Sequence, residues 1–295
     1  MNNLLFLIVD VFAEEKYAGN QLAVFRHAAT LSTSEMQRIA NEMHYSETTF
    51  IMSEEPRNGG YDVRIFTPAE EIPFAGHPTL GTAHVIRHHI LREPRSPLIL
   101  NLPIGQIPVT FATSREQSDL YWMQQKEPSA GQTFPPQTIA TVLSLDATDI
   151  DNRFPVEEIS TGLPHLIVPL KTLTALKHAK IEKTSYSNFI QQSWAKSVLV
   201  FCSETYSKQP GVSVRVFADY YGVPEDPATG SGNGCLAAYL IRHRYFGTNT
   251  IDIRSEQGYE IGRPSLLFLR AEDQNGKIAV AVGGHVITVA KGEFV

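Results

Sequence analysis

DVRIFTPAEEIPFAGHPTLGTAHVIRHHIL, residues 62–91, decides how the chain is read, because a second stretch repeats its design. That second stretch is SVRVFADYYGVPEDPATGSGNGCLAAYLIRHRYF, residues 213–246. Each opens with the alternation of a strand, passes through a loop punctuated by Gly and Pro, and closes on an apolar helix. Val63-Arg64-Ile65-Phe66 lines up with Val214-Arg215-Val216-Phe217 at an offset of 151 residues, and Ile86-Arg87-His88 with Ile241-Arg242-His243 at 155. The second loop is therefore the longer one. Internal likeness of this kind marks a duplicated unit. Helix starts carry unpaired backbone N–H groups, so two such units can aim two sets of donors at one anionic or polar small molecule.

Working outward, weaker matches fall in the same order as the strong one. Residues 161–168 (TGLPHLIV) play the part of 18–24, and 197–204 (SVLVFCSE) the part of 48–55. Strand patterns also cover Leu4 to Val11, Leu98 to Leu100, Gln106 to Phe111, Ile278 to Val282 and Val286 to Ala290. Ser32 or Ser34 caps a helix carrying Met36, Ile39, Ala40 and Met43 at helical spacing. A second helix starts after Pro78. The expected class is α+β, with sheets wrapped around a few buried helices. The stretch 126–137 (KEPSAGQTFPPQ) has the composition of a crossing between domains. The expected division is 1–127 with about 279–295 as one lobe and 128–278 as the other.

Composition narrows the function. A chain of 295 residues with 42% hydrophobic content can build two cores. A formal charge of −6, with no run of basic residues, argues against a nucleic-acid partner. Two cysteines, Cys202 and Cys235, do not make a disulfide framework, which points to the cytoplasm. MNNLLFLIVDVF is too short and too soon followed by charge for a signal peptide or membrane span, and reads as a buried first strand.

The candidate chemistry lies in three places. In the first loop, Gly76 and His77 stand at the helix entrance, because proline is tolerated in the first turn. His77 there can hydrogen-bond a ligand, donate a proton near neutral pH, or simply cap its helix. In the second loop, Asp226-Pro227-Ala228-Thr229-Gly230-Ser231-Gly232-Asn233-Gly234 lets a ligand approach the backbone of Thr229, Gly230 and Gly232 closely, or merely starts a helix. No Lys follows the last glycine as in a Walker loop, and Ser231 lacks the frame of a nucleophile elbow, so Ser231 reads as a hydrogen-bonding group. Glu47, at the mouth of an apolar strand, is placed to be partly desolvated and to shuttle a proton, or to sit at the surface. His84 and His88 have the spacing of a metal pair but lack an acidic third ligand, and read as helix-surface residues. Arg64 and Arg215, at equivalent positions, read as structural pairs holding each lobe, and Glu70-Glu71 as locally paired or metal-binding.

The segments AGNQLAVF (18–25), YSETTFI (45–51), RIFTPAEEIPFAGHPTLGTA (64–83), EDPATGSGNG (225–234) and EQGYEIGRPS (256–265) resemble the PhzF-like phenazine-biosynthesis isomerases, relatives in fold of diaminopimelate epimerase. The resemblance spans nearly the whole chain. It implies two pseudo-symmetric lobes, each a mostly antiparallel sheet around a central helix, with the site in the cleft between them and the last strands returned to the first lobe. It also implies a homodimer, no cofactor and no metal. The epimerase branch uses one cysteine in each lobe, where this chain has Ala75 and Ser231, so a two-thiol mechanism is not expected. The PhzF branch uses one glutamate, which maps onto Glu47, with His77, Asp226 and Ser231 on its other polar positions. The implied reaction moves a proton on trans-2,3-dihydro-3-hydroxyanthranilate, a small carboxylate. A different isomerase or epimerase of the same fold, and a non-catalytic metabolite-binding protein, are the alternatives.

Overall fold

The computed structural model describes residues 4–91, 96–112 and 119–295. The chain divides into two compact units, Met1–Met123 with Gly283–Val295, and Gln124–Val282. Among the described residues no helix is long and apolar enough to cross a membrane.

In the first unit, strand Leu4–Val11 pairs antiparallel with Asn20–Phe25 on one side. On its other side it pairs with the end of the C-terminal strand Lys277–Phe294, from Val286 against Val11 to Phe294 against Leu4. Asn20–Phe25 then runs parallel to Glu47–Ile51, which is antiparallel to Tyr61–Phe66. The parallel step needs a crossover, which helix Thr33–Met43 supplies. Ser32 caps that helix by accepting from Glu35 N, and Glu35 accepts in turn from Ser32 N. Such a box adds about 1 kcal/mol and stops the helix from starting elsewhere. Its apolar face covers Phe25, Phe50 and Phe66, whose rings pack at 5.2 and 5.4 Å.

The second unit repeats this wiring. Val156–Ser160 pairs antiparallel with Pro164–Pro169, which runs parallel to Ser197–Cys202, itself antiparallel to Gly211–Ala218. Thr250–Gln257 then adds in parallel to Gly211–Ala218. Two short helices, Leu173–His178 and Lys183–Gln192, make the crossover here.

Each unit holds one helix that is buried almost all round: Gly76–His89 in the first, Gly230–Arg242 in the second. Small and apolar residues on every side make this possible. A Cβ on Gly81 would stand 2.6 Å from Leu22 Cδ2 and 2.9 Å from Val11 Cγ2, so glycine is what lets the sheet lie against the first helix.

The strand registers fix which residues of the two units correspond. Phe50 faces Arg64 in the first unit, and Val200 faces Arg215 in the second. Carried back along the strands, this sets Glu47 against Ser197, one residue away from the match that the sequence offered between Thr48 and Ser197. The neighbours across the parallel step are Leu22 and His165. The two arginines do pair locally. Arg64 forks onto Glu71 at 2.8 and 2.5 Å, and Arg215 onto Glu225 at 2.9 and 2.8 Å.

Four expectations change. The first buried helix begins at Gly76, two residues before Pro78, and the second begins at Gly230, so that Ser231, Gly232, Asn233 and Gly234 are helical rather than loop. Residues 129–134, within the presumed crossing, form strand Ser129–Phe134 against Val156–Ser160. The last two strands are one, Lys277–Phe294. His84 is not a surface residue. It is buried, with Nε2 3.0 Å from Thr288 Oγ1, because its helix is covered on every side up to Arg87. His88 is exposed and lies 3.1 Å from Asp119.

Candidate active site

Glu47 is the first residue of its strand and His77 the second of its helix. A buried hydrogen bond of 2.8 Å between Thr49 Oγ1 and Thr82 Oγ1 ties that strand to that helix and holds the two groups in register. Glu47 Oε2 lies 3.4 Å from His77 Nε2, with the side chains 18% and 7% exposed. That separation is within ion-pair range but longer than a charge-assisted hydrogen bond.

The protonation of His77 follows from its surroundings. Burial pulls it down from its ordinary value to about 3, against a smaller opposing effect of its hydrogen bond to the Gln21 backbone. The ring is therefore neutral at pH 7. Among the described residues Nε2 has no hydrogen-bond partner, which leaves Nδ1 as the nitrogen bonded to Gln21. A neutral ring that donates through Nδ1 presents a lone pair at Nε2. That lone pair faces the Glu47 carboxyl oxygen.

In the second unit the polar residues form a network behind the glycine-rich helix start. Thr229, the N-cap residue, donates its hydroxyl to Asp226 Oδ2 over 2.5 Å. Gln257 donates to Asp226 O at 2.8 Å and to Thr229 Oγ1 at 3.0 Å, and accepts from Thr229 N and Asn233 Nδ2. Ser255 completes the chain through Asn233 Oδ1 at 2.6 Å. Gly258, which follows Gln257, has φ +81°, and a Cβ there would meet Pro227 O at 2.6 Å. The Glu-Gln-Gly stretch thus grips the Asp226-Pro227 turn from behind. Ser231, the second residue of the helix, is half-buried, and its Oγ is 3.1 Å from His165 Nε2. Gly76, Gly230 and Gly232 are buried at the two helix starts.

The structure thus brings Glu47 and His77 together in one unit, and Asp226, Thr229 and Ser231 around one helix start in the other. His165, Ser197 and Gln257 were not singled out from the sequence. The available signal for His165 was its place in the TGLPHLIV repeat segment. The cysteines sit apart from these groups, free and buried. Burial pushes Cys202 up to about 12 and Cys235 to about 11, so both are thiols at neutral pH.

Comparison with known proteins identifies the family. Residues 9–292 match the PhzC-PhzF family of phenazine biosynthesis-like proteins. The trans-2,3-dihydro-3-hydroxyanthranilate isomerase of Pseudomonas chlororaphis is 36% identical, over 98% of this chain and 99% of that protein. A Bacillus anthracis phenazine biosynthesis protein of the PhzF family superposes with a TM-score of 0.92 at 25% identity, covering 100% of both chains. A probable proline racemase from Agrobacterium radiobacter shares the fold at a TM-score of 0.66 with 9% identity, covering 99% of this chain and 93% of that one. The chain belongs to the PhzC-PhzF family. It is an isomerase of the PhzF type, with the α+β fold of the racemase and epimerase group.

Proposed function

We propose that the chain isomerises trans-2,3-dihydro-3-hydroxyanthranilate, with Glu47 as the group that takes the proton and gives it back. The observation that carries this is the 3.4 Å approach of Glu47 Oε2 to the neutral, buried His77. A neutral imidazole does not lock the neighbouring carboxylate into an ion pair, so Glu47 is available as the base. The activity of the Pseudomonas relatives supports the substrate.

In the reaction, the C–H bond at the hydroxyl-bearing carbon breaks and its proton passes to the Glu47 carboxylate. The electron pair enters the ring's conjugated system, and the same carboxyl returns a proton to another ring carbon on the same face. Composition is unchanged and no redox partner is needed. Asp226, held by Thr229 and Gln257, binds the substrate amino or hydroxyl group. Ser231 and the N–H groups at Gly76, Gly230 and Gly232 hold the carboxylate and the charge that develops in the shifted π system. Cys202 and Cys235, kept as thiols by burial, take no part. The same reading gives a cytoplasmic homodimer acting on a small-molecule carboxylate. Incubation with trans-2,3-dihydro-3-hydroxyanthranilate, followed by absorbance and mass spectrometry, tests the proposal. The expected result is an isomeric product of unchanged mass in H₂O, and an unconsumed substrate contradicts it.

A further inference from the structure

His165 has no counterpart in the first unit, where Leu22 occupies the equivalent place in the sheet. Its ring is almost fully buried and spans two hydroxyls, with Nδ1 2.7 Å from Ser197 Oγ and Nε2 3.1 Å from Ser231 Oγ. A Cβ on Gly232 would stand 3.3 Å from His165 Cε1, so the helix start is built to admit the ring closely. Burial lowers His165 to about 4, and the ring is neutral at pH 7 with a single N–H.

Which nitrogen holds that proton decides what Ser231 can do. O–H donors make shorter bonds than N–H donors, typically about 2.7–2.8 Å against about 2.9–3.0 Å. The 2.7 Å contact fits Ser197 O–H donating to Nδ1, and the 3.1 Å contact fits Nε2–H donating to Ser231 Oγ. The opposite tautomer would put the N–H donor at the short contact and the O–H donor at the long one. Once Ser231 accepts from Nε2–H, its own hydroxyl proton is left for a ligand.

We propose that His165 is a positioning residue: relayed from Ser197, it delivers Nε2–H to Ser231 and makes the Ser231 hydroxyl a donor to the substrate carboxylate. This rests on the reading of Ser231 as a substrate-binding group. It extends the site one residue behind the helix start, to a group that touches no substrate itself. In the reverse tautomer Ser231 would donate to the ring and turn only lone pairs to an anion, which would repel it.

Two measurements test the relay. Long-range ¹H–¹⁵N correlation on ring-labelled histidine at pH 7, with the signal assigned by its loss in His165→Gln, reads the tautomer directly. A protonated Nε2 beside a bare Nδ1 is expected. A protonated Nδ1 or a doubly protonated ring overturns the proposal. This arm needs neither turnover nor ligand, so it stands or falls apart from the proposed reaction.

The second measurement is the calorimetric affinity for 3-hydroxyanthranilate, the aromatic analogue carrying the same carboxylate. It is compared across wild type, His165→Leu, Ser231→Ala and the double variant. Each single change is expected to weaken binding about tenfold, the scale of one hydrogen bond to a charged group. The double variant is expected to bind no more weakly than Ser231→Ala, and His165→Gln to recover most of the loss by keeping a donor. Additive losses, or wild-type affinity in His165→Leu, overturn it. Leucine is the residue that the first unit carries at this place, and circular dichroism checks that the variant is folded.

Discussion

The two units place different chemistry on one scaffold. At the strand position shared by Glu47 and Ser197, the first unit has a carboxyl group beside His77 and the second has a hydroxyl beside His165. Both imidazoles are buried and neutral. On the readings above, the first turns a lone pair to Glu47 and the second donates a hydrogen bond to Ser231. On the proposed reading, proton transfer falls to one unit and recognition to the other.

The sharpest way to break that division is Glu47→Gln. General acid–base groups contribute about 10²–10⁴-fold, so kcat should fall by that much while 3-hydroxyanthranilate still binds. Near-native turnover would mean that the proton travels elsewhere.

The arginine forks differ in the same spirit. Arg215 has a side chain only 7% exposed and donates to the carbonyls of Leu176, Lys177 and Ala179 as well as to Glu225. Arg64 is 25% exposed. Removing one partner of a buried pair costs about 3–5 kcal/mol, and of a surface pair about 0–1 kcal/mol. Arg215→Ala should thus lower the denaturant midpoint far more than Arg64→Ala, and equal shifts would contradict the contrast in burial.

Gly81 and Gly232 form the next pair. A Cβ meets packed side chains at 2.6 Å at Gly81 but at no less than 3.2 Å at Gly232. Overpacking costs about 1–3 kcal/mol, whereas alanine adds about 1 kcal/mol of helix preference over glycine. Gly81→Ala is expected to destabilise and Gly232→Ala to be near neutral by urea unfolding. The reverse order would mean that the packing around the first helix is read wrongly.

The smallest effect is on pH dependence. His165 is lowered to about 4, against about 6.5 in the unfolded chain. The unfolded chain binds the proton first, so this contribution is complete above about pH 6.5 and is lost as pH falls towards 4. His77 and His84, both lowered to about 3, act in the same direction. Between pH 6.5 and 5.5 a single such group costs about 1 kcal/mol. The fall in Tm over that range should be shallower in His165→Gln than in wild type, and equal slopes would remove His165 from the linkage.

The duplicated strands were legible in the sequence because Arg64 and Arg215 sit in matching apolar frames, and because period-two alternation survives divergence. Ser32 and Glu35 likewise announce their helix start. What escaped has physical reasons. His84 looked like a surface residue because amphipathic reasoning assumes that a helix keeps one wet face, and this helix is covered on every side up to Arg87. Residues 129–134 form an exposed strand whose Ser, Gly and Gln composition reads as a loop. His165 was invisible as a polar link because Ser197 and Ser231 lie 32 and 66 residues away, a proximity that only tertiary structure creates. Glu47 and His77 were each named from local sequence, but their approach, and the neutral ring that results, follow from burial.

The most direct test of the division between the units is deuterium incorporation in D₂O, comparing Glu47→Gln with Ser231→Ala under saturating trans-2,3-dihydro-3-hydroxyanthranilate. Ser231→Ala should still yield product carrying carbon-bound deuterium, at a raised KM, whereas Glu47→Gln should bind the substrate and incorporate almost none. Deuterium uptake by Glu47→Gln at the wild-type rate would contradict the account.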